Sequence, residues 1–206
     1  GQIVREQLDD AEGALRLSDG DFDTRVNVRS RDEIGDMGNV FNMIGPRLKE
    51  IPGPGREYYL SLDMALNGDI YVGTGHNASV YRIKAPTGAP ANPGEKAAPG
   101  EEIFQSDRLD VYALLVKNNG DVYAGTSPEG AIYKISPNAK DKAGKKFFNP
   151  DEKFIWDIKE DITGDIICAV GNEGGVYKID PSGSGVKIFT PEDTHIISLY
   201  ITRGNS

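Results

Sequence analysis

A strand-like stretch that occurs three times constrains this chain more than any other feature. Gly120–Ser136 reads GDVYAGTSPEGAIYKIS, Gly68–Lys84 reads GDIYVGTGHNASVYRIK, and Gly164–Asp180 reads GDIICAVGNEGGVYKID. A Gly-Asp pair opens each copy. A tyrosine stands thirteen residues after the glycine (Tyr81, Tyr133, Tyr177), and a base and an isoleucine follow it. Turn residues such as Asn119-Gly120-Asp121 and Ser127-Pro128-Glu129-Gly130 bracket β-branched and aromatic runs, the pattern of strand, turn and strand. The opening glycines stand at 68, 120 and 164, so the period is 52 residues and then 44.

Repeats of roughly 40–50 residues made of short strands predict β-propeller blades, four-stranded sheets set around a channel. Each blade reads as an apolar opener (Tyr59–Leu62, Val111–Leu114), the Gly-Asp strand, the tyrosine strand and an outer strand. Ile103-Phe104, Lys145–Phe148 and Lys187–Phe189 are the outer-strand candidates. The Pro/Ala/Gly-rich stretch Ala85–Gly100 lengthens the first repeat and reads as a solvated loop. His195–Gly204 resembles another opener, so residues 58–206 hold three blades and the start of a fourth. Rings usually need ~4–8 blades, so this one is incomplete. Either more of the same polypeptide or several chains would complete it. Gly1 leads straight into a helical pattern and Ser206 stands where the next Gly-Asp turn is due, so the chain is expected to be a piece of a longer protein.

Composition narrows the partners. With 32 acidic against 23 basic residues the net charge is −9, the wrong sign for a nucleic-acid or anionic-membrane surface. Cys168 is the single cysteine, so no internal disulfide forms, and its strand-like surroundings predict buried packing. No apolar run reaches the length of a membrane span.

The first fifty residues follow a different rule. Val4, Leu8, Ala11 and Leu15 mark one face of a helix that ends near Ser18-Asp19-Gly20. An extended connector with alternating Phe22, Val26 and Val28 leads to a second helix, which starts at the acidic Asp32-Glu33. Its seam runs Ile34, Met37, Phe41, Ile44, Leu48, Ile51, steps of three and four that call for a partner helix. Gly45-Pro46 interrupts this helix, and Ile51-Pro52-Gly53-Pro54-Gly55 ends it. The division is residues 1–51, a 52–57 Pro/Gly linker, and blades over 58–206.

These residues resemble a HAMP domain, the linker module of bacterial transmembrane receptors. Gly20-Asp21, the Asp32-Glu33-Ile34-Gly35 box and Phe41-Asn42-Met43 carry the likeness. It implies a homodimeric parallel four-helix bundle on the cytoplasmic side of the bacterial inner membrane, below a membrane segment upstream of this chain. Glu33 and Gly35 would fix the connector, and Ile34, Met37, Phe41 and Ile44 would form the bundle core. The segment would either relay a helix movement or only dimerise and tether. The repeats, in turn, resemble the Gly-Thr-x-x-x-Gly-x-Ile-Tyr type of bacterial β-propeller.

In a four-stranded meander, the loop between strands two and three shares a face with the loop leading into strand one. That face gathers His76, Asn77, Asp110, Glu129, Asn172, Glu173 and His195. Two histidines with carboxylates could hold a metal, but no His-x-x-His or Cys-x-x-Cys spacing supports one, so neither metal nor cofactor is expected. The recurring Glu129-Gly130 and Glu173-Gly174 fit a turn requirement. The opening strands, rich in Tyr, Leu, Val, Ile and Trp, show no distinctive acid, and no catalytic residue stands out. Tyr112 and Trp156 read as packing between blades. The expected function is a non-catalytic signal-transduction module that binds an unidentified ligand or protein on the propeller face. The alternatives are a metal-dependent lactonase-type hydrolase and a scaffold without ligand.

Overall fold

The computed structural model describes residues 58–76, 78–85, 100–106, 110–138 and 142–202. The two expected helices, the 52–57 linker and nearly all of the first-repeat insertion fall outside these residues. The blades belong to one compact unit, residues 53–85 and 101–206.

The described residues form three antiparallel four-stranded sheets, each a simple meander in chain order. Blade one is β1 (Tyr59–Met64), β2 (Ile70–Thr74), β3 (Ser79–Ile83) and β4 (Glu101–Gln105). Blade two is β5 (Asp110–Val116), β6 (Val122–Ser127), β7 (Gly130–Ile135) and β8 (Lys145–Glu152). Blade three is β9 (Phe154–Glu160), β10 (Ile166–Gly171), β11 (Gly175–Ile179) and β12 (Gly185–Phe189). All three outer-strand candidates are strands. Residues 195–202 lie along blade three, where Ile196 N–H donates to Val170 O at 3.2 Å, without becoming a regular strand. Among the described residues no helix is long and apolar enough to cross a membrane.

The Gly-Asp pair owes its place to a turn. Gly68, Gly120 and Gly164 take φ of 82°, 88° and 85°, the left-handed region that a side chain disfavours. The backbone closes the same way each time: Gly120 N–H donates to Lys117 O, and Lys117 N–H donates to Asp121 O, both at 2.9 Å. The residue before the glycine, or three before it, adds a side-chain cap. Asn67 Oδ1 accepts from Asp69 N–H, Asn119 Oδ1 from Asp121 N–H, and Asp161 Oδ1 from Asp165 N–H, each at 3.0 Å.

The core lies between sheets. Tyr71, Val80 and Phe104 of blade one meet Val111, Leu114 and Val122 of blade two. Leu115, Tyr123 and Ile132 of blade two meet Ile155, Ile158 and Cys168 of blade three. β2, β3, β6 and β10 are buried along their whole length. This explains why the repeat reads as unbroken apolar runs instead of alternation. Ile155 and Ile158 are fully buried, and such side chains contribute roughly 1.5–3 kcal/mol each. Gly125 lets the next blade approach: a Cβ there would lie 2.5 Å from Ile155 Cγ2.

Every opening strand carries a bulge at the same place. Register slips between Tyr59 and Ser61, between Val111 and Ala113, and opposite Ala169 and Val170. The extra residues are Leu60, Tyr112 and Trp156. A bulge bends its strand and re-aims the extra side chain.

Candidate functional site

The β2–β3 hairpins and the segments leading into the next blade do meet, as the meander geometry requires. Gly75 bridges Asp110, and Gly171 bridges His195. His76 N–H donates to Asp110 Oδ1 at 3.2 Å, and the Tyr58 and His76 rings lie 5.2 Å apart. At the other junction Asn172 N–H donates to Thr194 O at 3.1 Å, beside His195. Asn77 lies outside the described residues, as do Glu33, Ile34, Gly35, Met37, Phe41 and Ile44.

Glu129 and Glu173 are exposed in their hairpins. The glycine after each has a steric reason. A Cβ on Gly130 would lie 2.7 Å from Glu152 O, and one on Gly174 would lie 2.5 Å from Asp193 O. Glu173 N–H donates to Glu152 Oε2 at 3.0 Å. Glu152, nearly fully buried, also lies 3.6 Å from Lys187 Nζ. Sequence reading missed Glu152 because it sits at the end of the weakly patterned outer strand β8. The histidines stay apart, His76 at the junction of blades one and two and His195 at the far side of blade three. Among the described residues no three His, Cys, Asp or Glu side chains converge closely enough to hold a metal ion.

The opening strands, whose sequences show no distinctive acid, each carry an aspartate. β1 contains Asp63, β5 begins with Asp110 and β9 contains Asp157. All three are occupied in joining blades, Asp110 through the His76 N–H of blade one. Asp63 Oδ2 accepts from Val116 N–H of the next opening strand at 2.7 Å, and Asp157 Oδ2 accepts from Leu199 N–H at 2.8 Å. Opening strands of neighbouring blades share no ladder, so a carboxylate supplies the link that a sheet would have made.

The bulged residues assemble something that strand spacing alone did not reveal. Tyr112 and Trp156 rings meet across blades two and three at 4.9 Å, as their reading as inter-blade packing required. Trp156 then stacks on Phe154 at 4.8 Å with 8° between planes. Its indole N–H donates to His195 Nδ1 at 3.0 Å, and the two rings meet edge to face. Tyr112 also hydrogen-bonds the Asp110 carboxylate; burial, then the charge of that carboxylate, push the phenol's pKa up. The result is an aromatic row, Tyr112, Trp156, Phe154 and His195, with Asp110 at one end. Nothing in the repeat consensus marks this row, since Leu60 takes the equivalent place in blade one.

Three of the five non-glycine residues with positive φ among the described residues lie in the β2–β3 and β10–β11 hairpins. His76, Ala78 and Asn172 have φ of 69°, 41° and 125°, unusual for residues with a side chain. Such residues collect at ligand clamps and switch regions.

A concave region lies at the opposite, Gly-Asp end of blades two and three, with a volume near 440 Å³. Tyr123 lines it, with Lys117 Nζ and Lys134 Nζ at 5.6 and 5.7 Å from its ring. Lys117 is held by Glu160 at 3.1 Å and by Gly164 O at 2.6 Å, and Lys134 by Asp121 at 2.7 Å. Its charges are thus internally paired and serve the joint between blades.

Residues 11–44 match the family model for the HAMP domain, and the six relay and core positions named from sequence all fall inside that match. No curated protein matches the chain. Among solved structures, one of a protein assigned as a gluconolactonase is 15% identical, with a TM-score of 0.50 over 70% of this chain and 52% of its own. A streptogramin B lyase is 16% identical with a TM-score of 0.49, over 68% of this chain and 45% of its own. The chain therefore spans about half the length of the structures it matches. The first of these likenesses supports the fold that the three sheets display. Residues 11–44 thus match the HAMP domain, and the described residues from Tyr59 to Phe189 form β-propeller-type blades.

Proposed function

We propose that this chain is a non-catalytic signal-transduction module: a HAMP linker that pairs with a second copy, joined to blades whose hairpin face takes up a ligand or partner protein. The observation that carries this reading is the presence of a HAMP match and a blade array on one polypeptide. HAMP modules serve membrane-anchored receptors, so the working place is the cytoplasmic side of a bacterial inner membrane, reached through a membrane segment outside this chain. Sedimentation of the full chain tests it. A dimer that dissociates when Phe41→Asp breaks the seam, with the β-sheet circular dichroism retained, supports the reading. A monomer at every concentration overturns it.

One observation favours a second reading, a metal-dependent lactonase-type hydrolase: the blades are similar to a structure assigned as a gluconolactonase. Metal analysis of the purified chain separates the two. Stoichiometric calcium or zinc, lost on Glu129→Ala and Glu173→Ala, supports the hydrolase and counts against the binding module. A propeller that binds neither metal nor ligand would be a scaffold.

A further inference from the structure

Three features converge on one strip of the hairpin face. A bulge recurs in each opening strand, and in blades two and three the bulged residue is aromatic. Tyr112, Trp156 and Phe154 remain half-buried and His195 exposed, so the row is not closed over by the blades. Its rings are also fixed: the indole by its bond to His195, Phe154 by stacking at 4.8 Å, Tyr112 by Asp110.

One end of this strip is acidic. Asp110 contributes a carboxylate whose partners are the His76 N–H and the Tyr112 hydroxyl, and among the described residues no basic side chain pairs with it. Aromatic faces present the negative side of their quadrupole to whatever sits over them. Rigid aromatic faces beside a carboxylate, on a chain of net charge −9, repel anions and favour a large, weakly hydrated cation. A small hard ion such as calcium would want several oxygens in one shell, whereas the row offers rings and one carboxylate.

We propose that Tyr112, Trp156, Phe154 and His195 form a platform for an organic cation, a quaternary ammonium head group, with Asp110 as its counter-charge. This rests on the reading of the hairpin face as the ligand-taking surface and names the class of ligand. Tyr112 stands beside Asp110 with Trp156 packed against it, and the His76 N–H holds the same carboxylate.

Trp156 is the single tryptophan of the chain, so its fluorescence reports the platform directly. The full chain is titrated with tetramethylammonium chloride at constant ionic strength. Sodium chloride, the neutral isostere neopentyl alcohol and methyl α-D-glucoside serve as comparison titrants. The proposal expects a saturable change with tetramethylammonium alone. It also expects affinity about tenfold weaker in Asp110→Asn and in Tyr112→Leu, each checked for its β-sheet circular dichroism. Equal responses to tetramethylammonium and neopentyl alcohol overturn the cation proposal without needing any variant. A saturable response to the glucoside alone overturns it too, yet leaves the face standing as a ligand site. No response to any titrant overturns the cation proposal and removes the support that the row lends to the ligand-taking face.

Discussion

Lys134 Nζ lies 2.7 Å from Asp121 Oδ2, so the base behind the repeat's tyrosine pairs with the aspartate behind its glycine. The two face each other diagonally across β6 and β7, where Tyr123 is in register with Lys134. Blade three repeats the pair as Lys178 with Asp165 at 3.1 Å and adds Asp161 at 2.7 Å. Blade one departs: Arg82 turns to Glu101 at 2.7 Å and to Asn138 at 3.1 Å. What reads in sequence as a conserved-looking spacing within one chain is therefore a cross-strand ion pair at the mouth of a turn. Lys134 is 35% exposed, so water screens the pair. Lys134→Met is expected to cost less than about 1 kcal/mol in urea unfolding, and a double-mutant cycle with Asp121→Asn should give a coupling of the same order.

The acid limb of stability should trace to blade three and to β4. Burial works to raise the pKa of Asp161, but hydrogen bonds from Lys178, from the Thr163 hydroxyl and from the Thr163 and Asp165 amides outweigh it and hold the carboxyl well below its usual range. Glu101 is lowered chiefly by Arg82. For Glu102, burial is overcome by Lys142, Ser79 and Tyr81. These folded values lie below the unfolded ones, so the stabilisation is complete above the unfolded carboxylate pKa of about 4 and fades as pH falls below it. Urea midpoints should hold level from neutral pH down to about pH 5 and then drop. Asp161→Asn should flatten that drop while lowering stability at neutral pH.

Asp63 should matter beyond its own strand. Replacing it with alanine leaves Val116 N–H without the partner that joins β1 to β5, a loss of about 1–3 kcal/mol for a partly buried donor. Thermal unfolding and hydrogen exchange check this, with faster exchange expected at the Val116 amide and little change at Ile132, deep in blade two.

Gly125→Ala drives a methyl group into Ile155 and Ile158 at the joint between blades two and three. Overpacking of this kind costs about 1–3 kcal/mol. Gly171→Ala meets His195 and Trp156 instead, so its signature is an altered Trp156 emission with a smaller loss of stability.

Blade architecture was legible because its causes are local. Gly68, Gly120 and Gly164 adopt left-handed turns, which few other residues do cheaply, and the strands that follow them, β2, β6 and β10, are buried along their whole length. The meeting of His76 with Asp110, and of Asn172 with the segment beside His195, followed from meander topology alone. The aromatic row did not, because it depends on a register slip in the opening strand. Alternation of side chains would send Phe154 and Trp156 to one face, and no spacing rule says where a bulge will put them. Asp63 and Asp157 were visible yet passed over, since their use is defined by the neighbouring blade. Glu152 lay hidden in β8, whose half-exposed pattern gives little hydrophobic signal.

Cysteine cross-linking at positions 37–44 of the HAMP match asks whether two copies pair through the proposed seam. Cys168 is fully buried with its thiol pushed up to about 12 by burial, so it stays silent to a mild oxidant and introduced cysteines report alone. Met37→Cys, Phe41→Cys and Ile44→Cys should each give disulfide-linked dimers of the full chain, while Asn39→Cys, off the seam, should not. Equal cross-linking at all four positions, or none at any of them, would contradict the account.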